Sequence, residues 1–581
     1  MTEQFKATNL DISRAFSKIA EILEIQGENV FRIRAYERAA QMIDGLPEEC
    51  GDIYNGGGLA ALRAIPGIGD DLSNKIEEML KTGKLKALEE LRKKVPEGVV
   101  DILSIEGMGP KKTKFVWKKF KVDSVDKLEA LVKSGKLSNL RGWGEKSSAN
   151  IFHAIELSRK MGGRLPIHEV MNIAEKIVDL LKKSKLCENV EIAGSLRRMK
   201  DSIGDIDILV TSKKPKAVTD LFTKMTYVSE VISTGPTKST VLLKSGIEAD
   251  IRVLDPKQFG AGLYYFTGSK EHHVLTRTIA VKKGITISEY GVYKGTKENK
   301  GILLAAKTEN DVFRAIGLPY IPPELREARG EIEAAIKDQL PKLVEEEDIK
   351  GDLHMHSNIS DGDDTILEMV GAVKQKDYEY IAITDHSSSM GMVKGVKKDN
   401  IDHYLSLVNE ARKKFSTIHI LAGSEVDISK DGSLYLPDEC LRRLDWVVAS
   451  VHLNIKMTAD EMTKRYLKAI ENPFVNVIAH PTSRIVGSRA PFEFDFIKVA
   501  EHAKKHNVAL EINSSYRLDL NDVHIRQAKE IGVKMVINSD AHTKSGFGLR
   551  FGVGQARRGW CEKNDILNCL DWKDFISHIK K

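Results

Sequence analysis

The chain predicts a multidomain protein. Its parts are an all-α N-terminal region with helix-hairpin-helix turns, a central α+β region and a C-terminal distorted β/α barrel of seven strands. Three observations carry this. At 581 residues the chain exceeds what one hydrophobic core fills. Three short Gly-x-Gly turns near the N-terminus each open a lysine-containing helix. Beyond residue 349, short runs rich in Val and Ile alternate with amphipathic stretches, the pattern of strands buried on both faces and separated by helices.

The N-terminal region reads as helical because apolar residues recur at 12, 16, 19 and 23 within residues 10–25. The turns are PGIG at 66–69, GMGP at 107–110 and GWG at 142–144. Such turns let backbone N–H groups and a helix N-terminus approach a phosphate. They hold a nucleic-acid backbone and read no bases. Gly67, Gly69, Gly107, Gly109, Gly142 and Gly144 are therefore the expected DNA contacts, with the lysines between Lys81 and Lys121 around them.

In the centre, residues 192–211 read IAGSLRRMKDSIGDIDILVT. Residues 190–193 and 206–211 predict two strands around a Gly-Ser turn. Asp205 and Asp207 are two apart, so on a strand they face the same way. Two such carboxylates can share a pair of magnesium ions about 3.5–4 Å apart. Asp250, in the run 247–254, offers a third carboxylate from a neighbouring strand. Gly194, Ser195 and Arg198 would supply an amide, a hydroxyl and a cation to a triphosphate. An Asp-x-Asp alone is a weak signal and is often a solvated pair. The Gly-Ser turn and the third Asp favour a nucleotidyltransferase, in which a hydroxyl attacks an α-phosphate and pyrophosphate leaves.

The last two-fifths hold nine metal-ligand-type residues: His354, His356, Asp361, His386, Glu425, His452, His480, Asp540 and His542. Most follow an apolar run: 349–353, 380–384, 418–424, 446–450, 475–479 or 533–539. A seventh run, 508–512, ends at Asn513. Twelve of the sixteen histidines lie beyond residue 350, more than a core has use for. Ligands that follow successive parallel strands converge, because the strand ends share one face. Zinc, manganese and iron take imidazole and carboxylate ligands.

Composition adds limits. A net charge of +6 permits nucleic-acid binding without demonstrating it. Five cysteines, an odd number without zinc spacing, argue against a disulfide framework. No apolar signal segment is present and no run nears about 18 apolar residues, so a cytoplasmic protein with no membrane contact is expected, as a monomer.

Residues 349–575 resemble the polymerase-and-histidinol-phosphatase (PHP) superfamily of metal phosphoesterases, through HMHS-x3-DG, TDHS, GSEVD, SVH, AHP and SDAH. The resemblance implies up to three divalent metals, Mn²⁺ or Zn²⁺. One would be held by His354, His356, Glu425 and Asp540. A second would use Glu425, His452 and His480, and a third Asp361, His386 and His542. Ser483 stands where relatives often have glycine, which could shift Arg484, a candidate phosphate contact.

Residues 5–322 resemble the family X DNA polymerases, through AGSLRR-x5-GDIDILV with Gly204, EADIRVL and YYFTGSKEHH. The whole chain looks like the bacterial and archaeal form of that family. The resemblance implies a small 5′-end-binding domain (1–90), fingers (91–160), a nucleotidyltransferase palm (161–255) and a thumb-like closing subdomain (256–322). A linker (323–348), read as a charged helical connector, would lead to the barrel. Asp205, Asp207 and Asp250 would hold Mg²⁺ or Mn²⁺. Tyr265 and Phe266 would crowd the sugar, Gly268 would let the chain bend and Arg277 would track the template. His273 stands where polymerase-beta-like relatives place asparagine against the minor-groove edge. Arg32, Arg34 and Arg38 would meet a 5′-phosphate. Lys75 stands where sugar-phosphate-excising relatives carry a Schiff-base lysine, but the neighbouring Asp70 and Asp71 favour a plain DNA contact. The implied partners are gapped or primer-template DNA and dNTPs. The implied activities are gap filling and a 3′→5′ exonuclease, with abasic-site incision as a second cut. The alternative is a polymerase whose barrel is a metal-bound scaffold without nuclease activity.

Overall fold

The computed structural model describes residues 7–579, apart from 45, 47–48, 66, 104, 106–107, 138–142, 145–147, 149–150, 153–154, 156–163, 297–299 and 388–393. The first helix, Asn9–Gln26, starts in a capping box between Thr8 and Asp11 and stops at Gly27, whose φ of +78° suits a left-handed cap. It buries Ile12, Phe16, Ile19 and Leu23, the spacing the sequence announces. The core around it runs to Val100, about ten residues past the expected boundary at 90. A second small core, from Ile102 to Ile155, holds the helices Glu97–Leu103, Pro110–Phe120 and Val125–Lys133.

The central sheet has five strands in the order Asn189–Ile192, Asp205–Thr211, Glu248–Leu254, Lys238–Leu243, Val228–Thr234. Asp205–Thr211 and Glu248–Leu254 are parallel neighbours, and Asp207 is the register partner of Asp250. A three-stranded sheet, Ile285–Ser288, Gly291–Gly295 and Lys300–Ala305, follows in the thumb-like part.

The expected helical connector is a packed segment. Only Glu331–Ile336 is α-helical there, and Ile332, Ala335 and Leu343 join the thumb-like core. Two of its charged residues, Arg326 and Glu331, are fully buried. Each has a partner inside: Arg326 pairs with Glu309 at 2.6 Å and Glu331 with His272 at 2.8 Å. Pairing is what makes such burial tolerable.

The barrel has seven parallel strands in chain order: Gly351–Asp352, Tyr380–Ile383, His419–Asp427, Trp446–Ser450, Val477–Ile478, Ala509–Asn513 and Met535–Asn538. The first and last meet through a Met355–Ala541 bridge. Alternate residues separate into two cores. Ile381 and Ile383 pack with the outer helices, while Tyr380 and Ala382 join Trp446, Val477 and Phe575. Phe575, from the C-terminal helix, stacks on Tyr380 at 4.3 Å between ring centres.

The barrel sits on the palm. Arg558, at the end of the helix Arg550–Arg558, is 5% exposed and donates to the Arg198 carbonyl, Glu327 and Asp522. Gln555 donates to the Met199 carbonyl, and Leu518 of the barrel lies inside the palm core.

Candidate active sites

Gly194 explains how the palm carboxylates fit together. Its φ is +61°, and a Cβ there would lie 2.1 Å from Asp207 Oδ2. Only glycine combines that backbone conformation with that approach. Asp207 is boxed in by burial, then by the charges of Asp205 and Asp250, and its pKa is pushed up to about 7. Arg198 and Lys238 oppose the rise. Three mutually repelling carboxylates are what a divalent cation relieves, so the residues fit the metals the family implies. Asp250 also accepts from Thr240 and lies 3.4 Å from Lys238.

A cleft of about 230 Å³ opens beside them, lined by Asp207, Lys238, Asp250, Arg252, Tyr265 and Phe266. The buried Ser195 hydroxyl has no hydrogen-bond partner among the described residues. Gly268 has φ +73° and closely approaches the Arg198 guanidinium. Gly204 lies against Arg164. Arg277 is exposed and covers the Tyr265 ring at 5.4 Å.

Two expectations change here. Arg198, expected to meet a triphosphate, is buried and donates to Glu327 and the Thr267 carbonyl, so it acts on the site through its charge. His273, expected at a base edge, is buried, and burial pushes its pKa down to about 4. Its ring is therefore neutral with one N–H. Nε2 lies 2.9 Å from the Tyr265 carbonyl, which takes that proton and leaves Nδ1 as an acceptor.

In the barrel, all nine predicted ligands converge at the C-terminal strand ends. Glu425 is central. Its Oε2 lies 3.4 Å from His354, 3.5 Å from His356 and 2.9 Å from His386. Its Oε1 lies 3.4 Å from His452 and 2.9 Å from His480. Asp540 is 3.1 Å from His356, and Asp361 is 3.4 Å from His386 and 3.5 Å from His542. Among the described residues, the groups that could each hold one ion are His356, Asp361, His386 and His542; His354, His356 and Glu425; and His386, Glu425 and His452. His356 and His386 thus each serve two groups, where the sequence reading gives each to one. His354 Nε2 and His356 Nδ1 are buried without hydrogen-bond partners. Burial tends to raise the Glu425 pKa, but His386, His452 and His354 outweigh it and hold the carboxyl well below its usual range. Burial, with His542 and His386, pushes His356 down to about 3. Against burial, Glu511, Asp540 and Glu425 raise His354, and Glu425 with Asp361 raises His386, each well above the usual imidazole range, so an arriving ion would displace protons from those rings.

Three residues here escape the sequence reading. Glu511 is fully buried and accepts from His354 Nδ1–H at 2.6 Å, which turns Nε2 toward Glu425. Asp427 does the same for His452 at 3.0 Å. Such carboxylates fix the ring that ligates metal. Arg517 brings its Nε to 3.9 Å from Asp540 Oδ2, an ion pair too long for a hydrogen bond. The only signal of Glu511 is an acid inside an apolar strand.

Arg484 is not at the centre. It donates to the Leu518 carbonyl and to palm Asp201 at 2.8 Å. Ser483 holds φ +48°, the left-handed backbone that explains a glycine in relatives.

Of the hairpin glycines, Gly107 and Gly142 lie outside the described residues. Gly69 and Gly109 cap the helices Asp70–Thr82 and Pro110–Phe120 with no side-chain cap bond, and open space surrounds both. Gly67 has φ +79°, and Gly144 is also unobstructed. The two helices differ in charge: Asp70 and Asp71 occupy the first turn of one, Lys111 and Lys112 that of the other. Arg32, Arg34 and Arg38 are exposed. Lys75 is ion-paired to Asp71 and lies 5.9 Å from the Tyr36 ring.

Comparison with known proteins fits both sites. Family models match as helix-hairpin-helix domain at 7–85, DNA polymerase beta palm at 164–253, DNA polymerase beta thumb at 262–327 and PHP domain at 352–515. The chain is 35% identical to the DNA polymerase/3′-5′ exonuclease PolX of Bacillus subtilis (strain 168), over 98% of this chain and 99% of that one. A probable phosphatase of Thermoanaerobacter sp. (strain X514) is 32% identical over 33% of this chain and 78% of its own. A probable phosphatase of Caldanaerobacter subterraneus is 30% identical over 33% and 75%. The chain belongs to the family X DNA polymerases that carry a C-terminal PHP domain.

Proposed function

We propose that this protein fills short gaps in DNA from dNTPs and trims DNA 3′ ends by phosphodiester hydrolysis in its barrel. The observation that carries the first activity is Asp207 in register with Asp250 beside the partnerless Ser195 hydroxyl. Asp205, Asp207 and Asp250 would hold Mg²⁺ or Mn²⁺, and the nine barrel residues up to three Mn²⁺ or Zn²⁺. When bound, such ions neutralise phosphate charge and lower the pKa of a hydroxyl or a water. The protein's own part is positioning. Ser195 donates to the triphosphate, Tyr265 and Phe266 wall the sugar, and Gly194 keeps Asp207 in place. The hairpins at Gly67–Gly69, Gly107–Gly109 and Gly142–Gly144 grip the strands flanking the gap, Arg32 meets a 5′-phosphate and Arg277 the template. Lys75 contacts DNA as an ion-paired lysine and is no nucleophile.

For the second activity, the Arg517 guanidinium lies beside the ligand cluster, with Nε 3.9 Å from Asp540 Oδ2. A metal-bound scaffold has no need of a cation there, because it repels the ions. A phosphodiester brings the negative charge that it attracts.

The test is a crossed pair. Asp205→Ala should abolish extension on a gapped duplex and keep degradation of single-stranded DNA. His354→Ala/His356→Ala should do the reverse. Loss of both activities in either variant, with the fold intact, rejects two independent centres.

A further inference from the structure

Arg517 and Leu518 are neighbours in the chain but serve different domains. The Arg517 guanidinium lies at the barrel's ligand cluster, 3.9 Å from Asp540. The Leu518 side chain is fully buried in the palm core, a cluster on which Val486 and Phe551 of the barrel also pack. We propose that Leu518 is a positioning residue through which the palm aims Arg517 at the scissile phosphate, so that the nuclease site is completed by docking on the polymerase. This rests on the phosphodiesterase reading above.

A long flexible side chain does not hold one direction by itself. Arg517 needs its backbone fixed, and it is fixed from two sides: its own N–H donates to Ser515 Oγ within the barrel, and the residue after it is held from the palm. The Leu518 carbonyl accepts from Nε and Nη2 of Arg484. Arg484 Nη1 is held by Asp201 of the palm at 2.8 Å. Asp519, next in line, is buried and accepts from Thr482. On the barrel side, Ser515 donates to Asn513 Oδ1 and accepts the Leu518 N–H at its carbonyl, while Tyr516 is 51% exposed. A path of contacts therefore runs from Asp201 through Arg484 and Leu518 to Arg517. Arginine suits its end, because its planar fork can grip two phosphate oxygens at once.

The experiment uses the full chain and four variants: Arg517→Ala, Leu518→Ala, the double variant and Leu518→Met. It measures exonuclease kcat and KM on an end-labelled single-stranded oligonucleotide, with metal content per chain, thermal midpoint and gap filling alongside. Arg517→Ala should lower kcat/KM about 10- to 100-fold, the loss of a charge-assisted contact. Leu518→Ala should lower it about three- to tenfold with bound metal unchanged, Leu518→Met should restore it, and the double variant should match Arg517→Ala because the effects are not additive. Losses that multiply in the double variant, or metal content that falls with Leu518→Ala, overturn the proposal. So does an active wild type that Leu518→Ala leaves unchanged. A wild type without nuclease activity overturns the phosphodiesterase reading itself, and the proposal with it.

Discussion

Gly194 and Asp207 come so close that one methyl group would collide with the carboxylate, 2.1 Å from Oδ2. Gly194→Ala should push Asp207 aside and strain a left-handed backbone. Primer extension should fall at least about 100-fold, as for displacements of about 1 Å at a reacting centre. Exonuclease rates measured on the same preparation should stay within twofold.

Asp207 makes the metal-free fold pH-sensitive. Its pKa lies near 7 in the folded state, against about 4 in an unfolded chain. Folding then takes up a proton between those values, so this group's contribution to stability falls as pH rises from about 4 to about 7 and levels off beyond. Asp207→Asn should stabilise the EDTA-treated protein above pH 7 by about 2–4 kcal/mol, and by nothing below about pH 4. Thermal melts across that range check it. The same variant should not extend a primer.

Glu511 holds His354 by its far nitrogen. Glu511→Gln should weaken metal binding in the barrel about 10- to 100-fold, with gap filling intact. Competition against a fluorescent chelator reads the affinity directly.

Asp70 and Asp71 put negative charge in the first turn of the hairpin helix that Gly69 caps. They oppose a DNA phosphate arriving there. Asp70→Asn with Asp71→Asn should tighten duplex binding about three- to tenfold at low salt and steepen its salt dependence. Fluorescence anisotropy at several salt concentrations checks this.

Much of both sites was legible because their residues sit at strand ends, where apolar runs give way to His, Asp or Glu. Strands at 446–450 and 509–513 needed little more than Val, Ile and their flanks. What the sequence hid is pairing across long separations. Arg198 looked like a phosphate contact, but its partner Glu327 lies 129 residues on. Arg484 looked the same, and its partner Asp201 lies 283 residues back. A cation in a loop carries no mark of which acid will meet it. The 323–348 segment reads as a charged helical connector for the same reason: nothing in it says that Glu309 will meet Arg326 or that His272 will meet Glu331.

Arg558 ties the nuclease half to the loop behind the nucleotide site, with Glu327 and Asp522 as its acids. A gene fragment ending before the barrel would leave Glu327 and the Arg198 carbonyl facing water, and the loop slack. These two enzymes share one chain less as passengers on a tether than as two halves of a joint, and parting them should cost the polymerase some of its grip on the incoming nucleotide.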